Sequence, residues 1–519
     1  MKLPDTSILF KEVSASSLGI LRLLFGFILL EDFVNFHEYF VNYLEPSEFY
    51  NTYDFFHWIH LMPRYWLDVF FYGAIGSCIL FALGIHYRLN AMLTFLSWTY
   101  IFLVDKGHYN NHFYLVSIFL FFFCIVDADR WGAVSTKEER TVPYWQVLIF
   151  RWQIAIVYFY GGIAKLHYDW LAGFPMQYWL VDASTFYPTS LQPLMRSTEM
   201  AYFISYAGLV FDLTIAFFLL SKRWRRWALL PVVAFHTMND FTWSIGDFPT
   251  IMLASTPIFF APNWAEKLYE HYHKNQLIKA VLAVGLMLGI GYGLFISDLF
   301  KGTNLYIKLI SYPILVHLFF RGNGFQELSD RNKTTFSPKK ASLIFLSIWF
   351  AFQLTLPFRH FLYKGDPSWT GEGHLFAWRM MLIDTVDAWR MKVVVPETGE
   401  ELPIALDQYI NYRQYRKMRR TPKSFLRFAH FIRDRVQEGG VQNPIIKMEV
   451  WKSVNNRAPQ LVNDTTLNYA LVPYSATAPV TWITDWSYSD ELPVYSEDRF
   501  KMWRDFLEKD GVDATSNWR

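Results

Sequence analysis

Hydrophobic length is the feature that most constrains this chain. About eleven apolar runs recur in the first 363 residues, near 17–35, 68–86, 89–105, 112–127, 147–164, 203–221, 226–242, 247–261, 277–296, 304–320 and 342–361. Several approach the ~20 residues that an α-helix needs to cross a bilayer. In lipid every backbone polar group must be satisfied within the protein, so such runs fold as helices. The runs within 226–261 are short enough to be re-entrant, which gives nine to eleven spans. After residue 363 the long runs stop and the composition turns ordinary. The expected fold class is therefore mainly α, a polytopic membrane helical bundle over 1–363 followed by a small α+β extramembrane domain over 364–519.

Loop charge orients the bundle. With the N-terminus in the cytoplasm, the inside loops carry Arg88, Arg130, Lys137, Arg140, Lys222, Arg223, Arg225, Arg226, Lys267 and Lys274. They also carry Arg321, Arg331, Lys333, Lys339 and Lys340, against only Arg64, Lys106, Lys165 and Lys301 outside. This is the positive-inside pattern, and it places the C-terminal domain in a periplasm or lumen. The first run, LGILRLLFGFILL, lacks a short charged n-region and a small-residue cleavage site, so it reads as a retained span. A net charge of +2 gives no case for nucleic-acid binding. The two cysteines, Cys78 and Cys124, lie in apolar runs and read as small core residues. In the tail, MKVVV and the turn PETGEE predict a hairpin. TPKSFLRFAHFIRDRVQEGG predicts a helix capped at Thr421, with Pro422 in its first turn and Gly439 at its end. IIKMEVWKSVN alternates like a strand.

The topology gathers polar groups on the outer side. DKGHYNNH joins two spans, Lys165 ends a third and HTMNDF ends a fourth, so Lys106, Asn111, His112, Lys165, His236 and Asn239 share a depth. Ionisable groups at that depth face a cavity or a partner. Each has a plainer reading: Lys165 as a snorkelling lysine, His112 as a hydrogen-bonded helix-start residue, His236 as an interhelical histidine. Arg22, Arg151 and Asp212 lie within spans and read as mutual ion-pair or hydrogen-bond partners. There is no HExxH, Walker loop or GxSxG, and the histidines lack metal-ligand spacing.

FLVDKGHYNNHFYL (102–115), VPYWQVLIFRWQIAIVYFYGGIAKLHYDWL (142–171) and FHTMNDFTWSIGDFPTIMLASTPIFFAPNW (235–264) resemble the vitamin K-dependent γ-glutamyl carboxylase family. LRLLFGFILLED (21–32), FALGIHYRL (81–89), SWTGEGHLFAWRMML (368–382) and VWKSVNNRAPQLVND (450–464) extend the resemblance over most of the chain. It implies an integral-membrane enzyme that oxidises reduced vitamin K, a naphthohydroquinone, to its epoxide with O2. The strong base so formed removes a γ-proton from glutamate, and the carbanion adds CO2; no metal is needed. The family's lysine base matches Lys165, which burial is expected to leave as a neutral amine. The histidine beside the carbanion matches His112, with Asn111 orienting a quinol oxygen or the lysine. His236 and Asn239 are expected to line the pocket, and Gly161 and Gly162 to let a ring or a helix come close. Trp369, His374, Trp378 and Arg379 fall in the stretch that approaches the glutamate in the family. Otherwise Trp369, Trp378, Trp389 and Trp451 read as core or interfacial anchors.

The resemblance has gaps. The family's animal members carry a lysine pair where this chain has Ala164–Lys165, and His and Arg residues where it has Ile383, Asp384 and Thr385. Arg379 or Arg390 is available to compensate. The family's disulfide and its propeptide-binding β-domain are expected to be absent, which suits a bacterial-type homologue binding its acceptor directly. Expected partners are a lipid-soluble quinol, a peptide or protein glutamate and membrane lipid. Two alternatives stay open: a quinol epoxidase without carboxylation, and a non-catalytic transporter or scaffold on the same fold. The triplet Asn463–Asp464–Thr465 is a glycosylation sequon if the chain enters a eukaryotic secretory pathway.

Overall fold

The computed structural model describes residues 6–135, 140–243, 245–273, 305–322, 336–337, 339–418 and 421–487. The apolar run near 277–296 and the loop charges Lys137, Lys274, Lys301, Arg331 and Lys333 lie outside the described residues. The other ten runs are helical. They correspond to α1 (Ser16–Tyr39), α2 (Arg64–Leu83), α3 (Tyr87–Val104), α4 (Asn111–Ile125) and α5 (Trp145–Ala164). Next come α9 (Thr198–Leu220), α10 (Arg225–Trp243), α11 (Phe248–Ser255, continued as a 3-10 turn), α13 (Leu305–Arg321) and α14 (Lys340–Thr355). Among the described residues four helical stretches are long and apolar enough to cross a membrane: Arg64–Leu83, Trp145–Ala164, Thr198–Leu220 and Lys340–Leu362. Short helices α6 (Tyr168–Leu171), α7 (Met176–Ala183) and α8 (Gln192–Met195) link α5 to α9, and α12 (Trp264–His273) follows α11. A two-stranded ribbon pairs β1 (Glu12–Ser14) with β2 (Thr141–Pro143).

Neighbouring helices pack in chain order, α1 on α2, α2 on α3, α3 on α4, while α5 packs against α9 and α9 against α10. Helix α5 is the most enclosed of the spans, with polar Gln146, Arg151 and Gln153 buried beside its apolar residues. Backbone carbonyls satisfy the buried arginines. Arg22 donates to Ala82 O, Ala128 O and Gly132 O, and Arg151 to Ile258 O, Phe260 O and Tyr144 Oη, at 2.5–3.2 Å. Neither reaches Asp212, so the three are not the mutual partners that their span positions suggest. Carbonyls freed at helix ends carry negative potential and hold a guanidinium without a carboxylate.

Beyond α14 come α15 (Pro367–Thr370), β3 (Thr385–Val394), β4 (Glu401–Pro403), α16 (Tyr412–Met418), α17 (Pro422–Glu438), β5 (Ile445–Val454) and β6 (Gln460–Leu461). The sheet order is β4-β3-β5-β6, antiparallel throughout, with Trp389 opposite Val450. The hairpin, helix and strand expected here all form. Alternation sends Trp389, Met391 and Val393 of β3 and Ile446, Met448 and Val450 of β5 to one face. Phe425, Phe428, Ala429 and Ile432 of α17, spaced i, i+3, i+4 and i+7, cover that face. Thr421 precedes the helix, yet its hydroxyl bonds back to Lys417 O and Met418 O rather than capping. Phe49, from the long α1–α2 loop, inserts into the same core, so the sheet is built onto the bundle. A second tie is Asp169 of α6. Arg457 grips it bidentately at 2.7 and 2.7 Å, Asn455 adds a bond at 2.5 Å, and all of it is buried.

Candidate active site

Lys165 caps the C-terminus of α5. Helical side chains lean toward the N-terminus, and here Nζ lies back over its own last turn, 3.3 Å from Gly161 O. It donates to Asp212 Oδ2 at 2.5 Å, with both side chains only 8% exposed. The Trp170 ring closes the other side, its centroid 5.2 Å from Nζ. A snorkelling lysine would reach for the interface; this one turns inward to a carboxylate in the middle of α9. The sequence reading had burial alone discharge the amine. In the structure the amine also has a carboxylate partner, Asp212.

The glycines before Lys165 differ in purpose. A Cβ on Gly162 would sit 2.9 Å from the backbone nitrogen of Leu213 and 2.7 Å from its side chain, so Gly162 sets the approach of α5 to α9. A Cβ on Gly161 would meet Asp212 Oδ2 at 3.4 Å, an ordinary contact.

The pair opens into a cavity of about 370 Å3. Lys106, Asn111, His112, Asn239, His374 and Arg379 line it, as do Tyr158, Trp179, Phe235, Met238 and Met380. Six of the residues singled out from sequence as catalytic or binding therefore converge: Lys165, His112, Asn111, Asn239, His374 and Arg379. His112 begins α4, with Phe113 at 4.4 Å and Phe248 at 6.4 Å between ring centroids. Among the described residues, no protein group hydrogen-bonds the His112 ring or the Asn239 amide. Asn111 is partly committed: it donates to Arg379 O and accepts from Tyr109 Oη, both at 3.0 Å.

Three expected lining residues lie elsewhere. His236 is fully buried one layer back and bonds Tyr158 Oη at 2.8 Å, so Tyr158 is the group presented to the cavity. Trp369 belongs to the core of the sheet, where Nε1 donates to Thr484 O at 2.9 Å. Trp378 is buried in the bundle core, stacked on Tyr114 at 4.9 Å. Asn463 of the sequon is also buried, bonded to Val450 N, Met448 O and Tyr469 Oη, and is closed to a glycosylating enzyme. The cavity-lining partner of Lys165 that sequence reasoning left unassigned is Asp212. Its signal was a lone carboxylate inside a span, which by itself does not say which cation it faces.

Residues 371–381 form a strap over the cavity. Phe376, Trp378 and Met381 have φ of 58°, 55° and 47°. For residues with a Cβ this left-handed region costs about 1 kcal/mol or more each. Side chains from the bundle hold the strap: Arg359 donates to Leu375 O, Tyr109 Oη accepts from Phe376 N, and Asn111 reaches Arg379 O. Burial draws the Arg379 guanidinium below its ordinary value. Lys106, at the cavity rim, is pushed down to about 8 by burial, with Asp54 at 3.5 Å opposing. Among the described residues no group of three His, Cys, Asp or Glu converges in a metal-holding arrangement.

Residues 10–264 match the HTTM domain family, and residues 338–488 match the vitamin K-dependent gamma-carboxylase, lumenal domain family. The two matches meet at the cavity, since Lys165 and His112 fall in the first and Arg379 in the second. No solved structure matches the chain significantly.

Proposed function

The chain belongs to the vitamin K-dependent γ-glutamyl carboxylase family, and from that premise we propose that it oxidises a reduced naphthoquinone with O2 and carboxylates glutamate side chains with CO2. Family membership itself implies a membrane protein with a lumenal-type domain and a carboxylase-like activity. The particular reaction, its residues and its sidedness are the proposal.

The observation that carries it is the Lys165–Asp212 pair at the wall of a cavity sized for one bicyclic ring. The residues fit such a ring: Phe235, Met238, Trp179 and Met380 offer apolar walls, and His112 and Asn239 offer polar atoms with spare hydrogen-bonding capacity. When bound, the reduced quinone supplies the electrons for O2 and, through its oxidation, the driving force for taking a proton from carbon. With its own proton passed to Asp212 Oδ2, Lys165 Nζ is a neutral amine that can accept a ring hydroxyl proton. His112 stands across the cavity to handle the proton of the acceptor, with Asn111 fixing the start of its helix against the strap. Trp170, Phe235 and the strap exclude water, which strengthens each polar contact inside. Asn239 and His374 orient ligand oxygens, and Arg379 faces the acceptor.

In this reading residues 1–363 form a bundle of nine to eleven spans with a cytoplasmic N-terminus, and 364–519 form a periplasmic or lumenal α+β domain that caps the site. Loop charge supports the orientation. The test uses purified protein with reduced vitamin K, a glutamate peptide and labelled bicarbonate, wild type beside Lys165→Ala. Epoxide and label that both vanish in the variant support the proposal. Epoxide without label would leave an epoxidase, and no epoxide from folded protein with several quinols would favour a transporter or scaffold.

A further inference from the structure

Behind the strap lies a second cavity, of about 610 Å3, which the proposed reaction does not use. Lys106, Leu375 and Thr421 line both cavities, so they and the strap are the partition, with Arg379 on its inner side and Arg359 on its outer side. The two ends of the second cavity are unlike. One end lies against the spans. Phe95, Thr99 and Leu103 of α3, spaced i, i+4 and i+8, give it a half-buried stripe about 12 Å long at 1.5 Å per residue. Leu93 and Leu96 of the same helix are exposed, so the stripe borders the face that α3 turns toward the bilayer. Phe102 and Tyr114 add rings, and Ser117 is already bonded to Phe113 O and Trp98 Nε1. The other end is cationic: Arg359, Lys106 and Lys423 line it, beside Ala476–Thr477 of the C-terminal section.

Arg359 sets both the depth and the charge. It lies in the last turn of the apolar stretch Lys340–Leu362, where a span meets the headgroup layer. Phe361 and Leu362 beside it are strongly exposed, as lipid-facing residues of such a stretch are. The guanidinium donates to Leu375 O and lies 5.6 Å over the Phe376 ring. The ionisable groups facing it are Tyr109, Tyr114 and Tyr363, and among the described residues no carboxylate pairs with it. The other charges here are engaged: Lys106 with Asp54, Asp54 also with Arg427, and Lys423 with Ala476 O and, at 4.0 Å, Glu372. A guanidinium does not discharge, and one held from water without a counter-ion is unfavourable until a ligand supplies the anion.

We propose that the second cavity is a binding site for one anionic phospholipid of the bilayer, its phosphate on Arg359 and one acyl chain along the Phe95–Thr99–Leu103 stripe. An amphiphile matches both ends. A neutral apolar chain would leave Arg359 uncompensated, and a peptide laid along the stripe would leave its amides without partners. The site stands apart from the Lys165 cavity and does not depend on the reaction proposed there.

The test counts bound lipid by native mass spectrometry. Detergent-purified protein is titrated with phosphatidylglycerol or with phosphatidylcholine of the same chains. One phosphatidylglycerol is expected to bind about tenfold or more tightly than phosphatidylcholine. Arg359→Gln should erase the difference and Arg359→Lys should restore part of it. Phosphatidylglycerol carrying a diazirine in its acyl chain should label residues 95–103 or 114–117. Thr99→Phe, which puts a ring into the stripe, should reduce both retention and labelling. Equal retention of the two lipids by wild-type protein overturns the proposal. So does a preference unchanged in Arg359→Gln, labelling only elsewhere, or full labelling in Thr99→Phe. Displacement of the label by a soluble acidic peptide, or by a neutral long-chain quinone, assigns the cavity to that ligand and also overturns it. If Arg359→Gln does not fold, the lipid preference of wild-type protein and the labelling of Thr99→Phe decide.

Discussion

Asp212→Asn separates a proton relay from a mere counter-ion. The carboxylate lies 2.5 Å from Lys165 Nζ, and neither side chain is more than a tenth exposed. Removing one member of a buried pair costs roughly 3–5 kcal/mol, because the remaining charge stays desolvated. Asparagine can still accept a hydrogen bond, but it neither neutralises the ammonium nor takes its proton. Against a total stability of about 5–15 kcal/mol, the loss should be visible as a clear drop in the thermal unfolding midpoint in detergent. Quinol oxidation should fall by roughly 10²–10⁴, the range of a positioned acid–base group. The double variant Lys165→Met/Asp212→Leu leaves no uncompensated charge, so it should recover most of the lost stability while staying inactive. Epoxide formation and unfolding are measured on wild type, both single variants and the double variant. Asp212→Asn with activity within a few-fold of wild type would refute the relay. A double variant as unstable as the singles would refute the charge argument.

Other perturbations reach different parts of the same argument. Gly162→Ala should destabilise the α5–α9 contact, since the new methyl has backbone 2.9 Å away, whereas Gly161→Ala should be tolerated; thermal unfolding of the two compares them directly. Asp169→Asn should weaken the tie between α6 and the sheet by about 3 kcal/mol or more, read as faster proteolytic release of the C-terminal section. Lys106 is held at about 8 in the fold against an ordinary value of 10.5. Between those values the unfolded chain holds a proton that the folded one lacks, so stability should rise with pH from 8 toward 10. Relative to Lys106→Met the rise is about 1 kcal/mol per pH unit; a flat difference across that window would refute it.

The parts that were legible in the sequence were set by chain-local physics. Ten apolar runs gave helices, four of them long and apolar enough to cross a membrane, period-two alternation gave β3 and β5, and i, i+3, i+4 spacing gave the packing face of α17. Of the six candidate site residues that share one cavity, Lys165, Asn111, His112 and Asn239 lie at or near helix ends, which the apolar runs mark in the sequence, whereas His374 and Arg379 reach it from the strap. His236 misled because one helical turn decides whether a side chain faces a cavity or its second layer, and the α10 pattern leaves both open. Trp369 and Trp378 misled for a related reason: Trp369 lies just before the left-handed strap and Trp378 within it, and backbone conformations of that kind have no period to read.

By itself the sequence determined that this chain folds as membrane helices followed by a smaller section with a sheet. It also pointed to a lysine and a histidine at helix ends that line one cavity. Hydrophobic length, loop charge and alternation are enough for that, because each acts over a few residues. Only the tertiary structure decided that Lys165 pairs with Asp212, that Arg22 and Arg151 are held by carbonyls, and that a strap divides two cavities between Arg359 and Arg379. Those pairings join residues far apart in the chain, such as Lys165 and Asp212, 47 positions apart. The partner of a buried charge is fixed by which helices pack, and packing is a property of the whole fold.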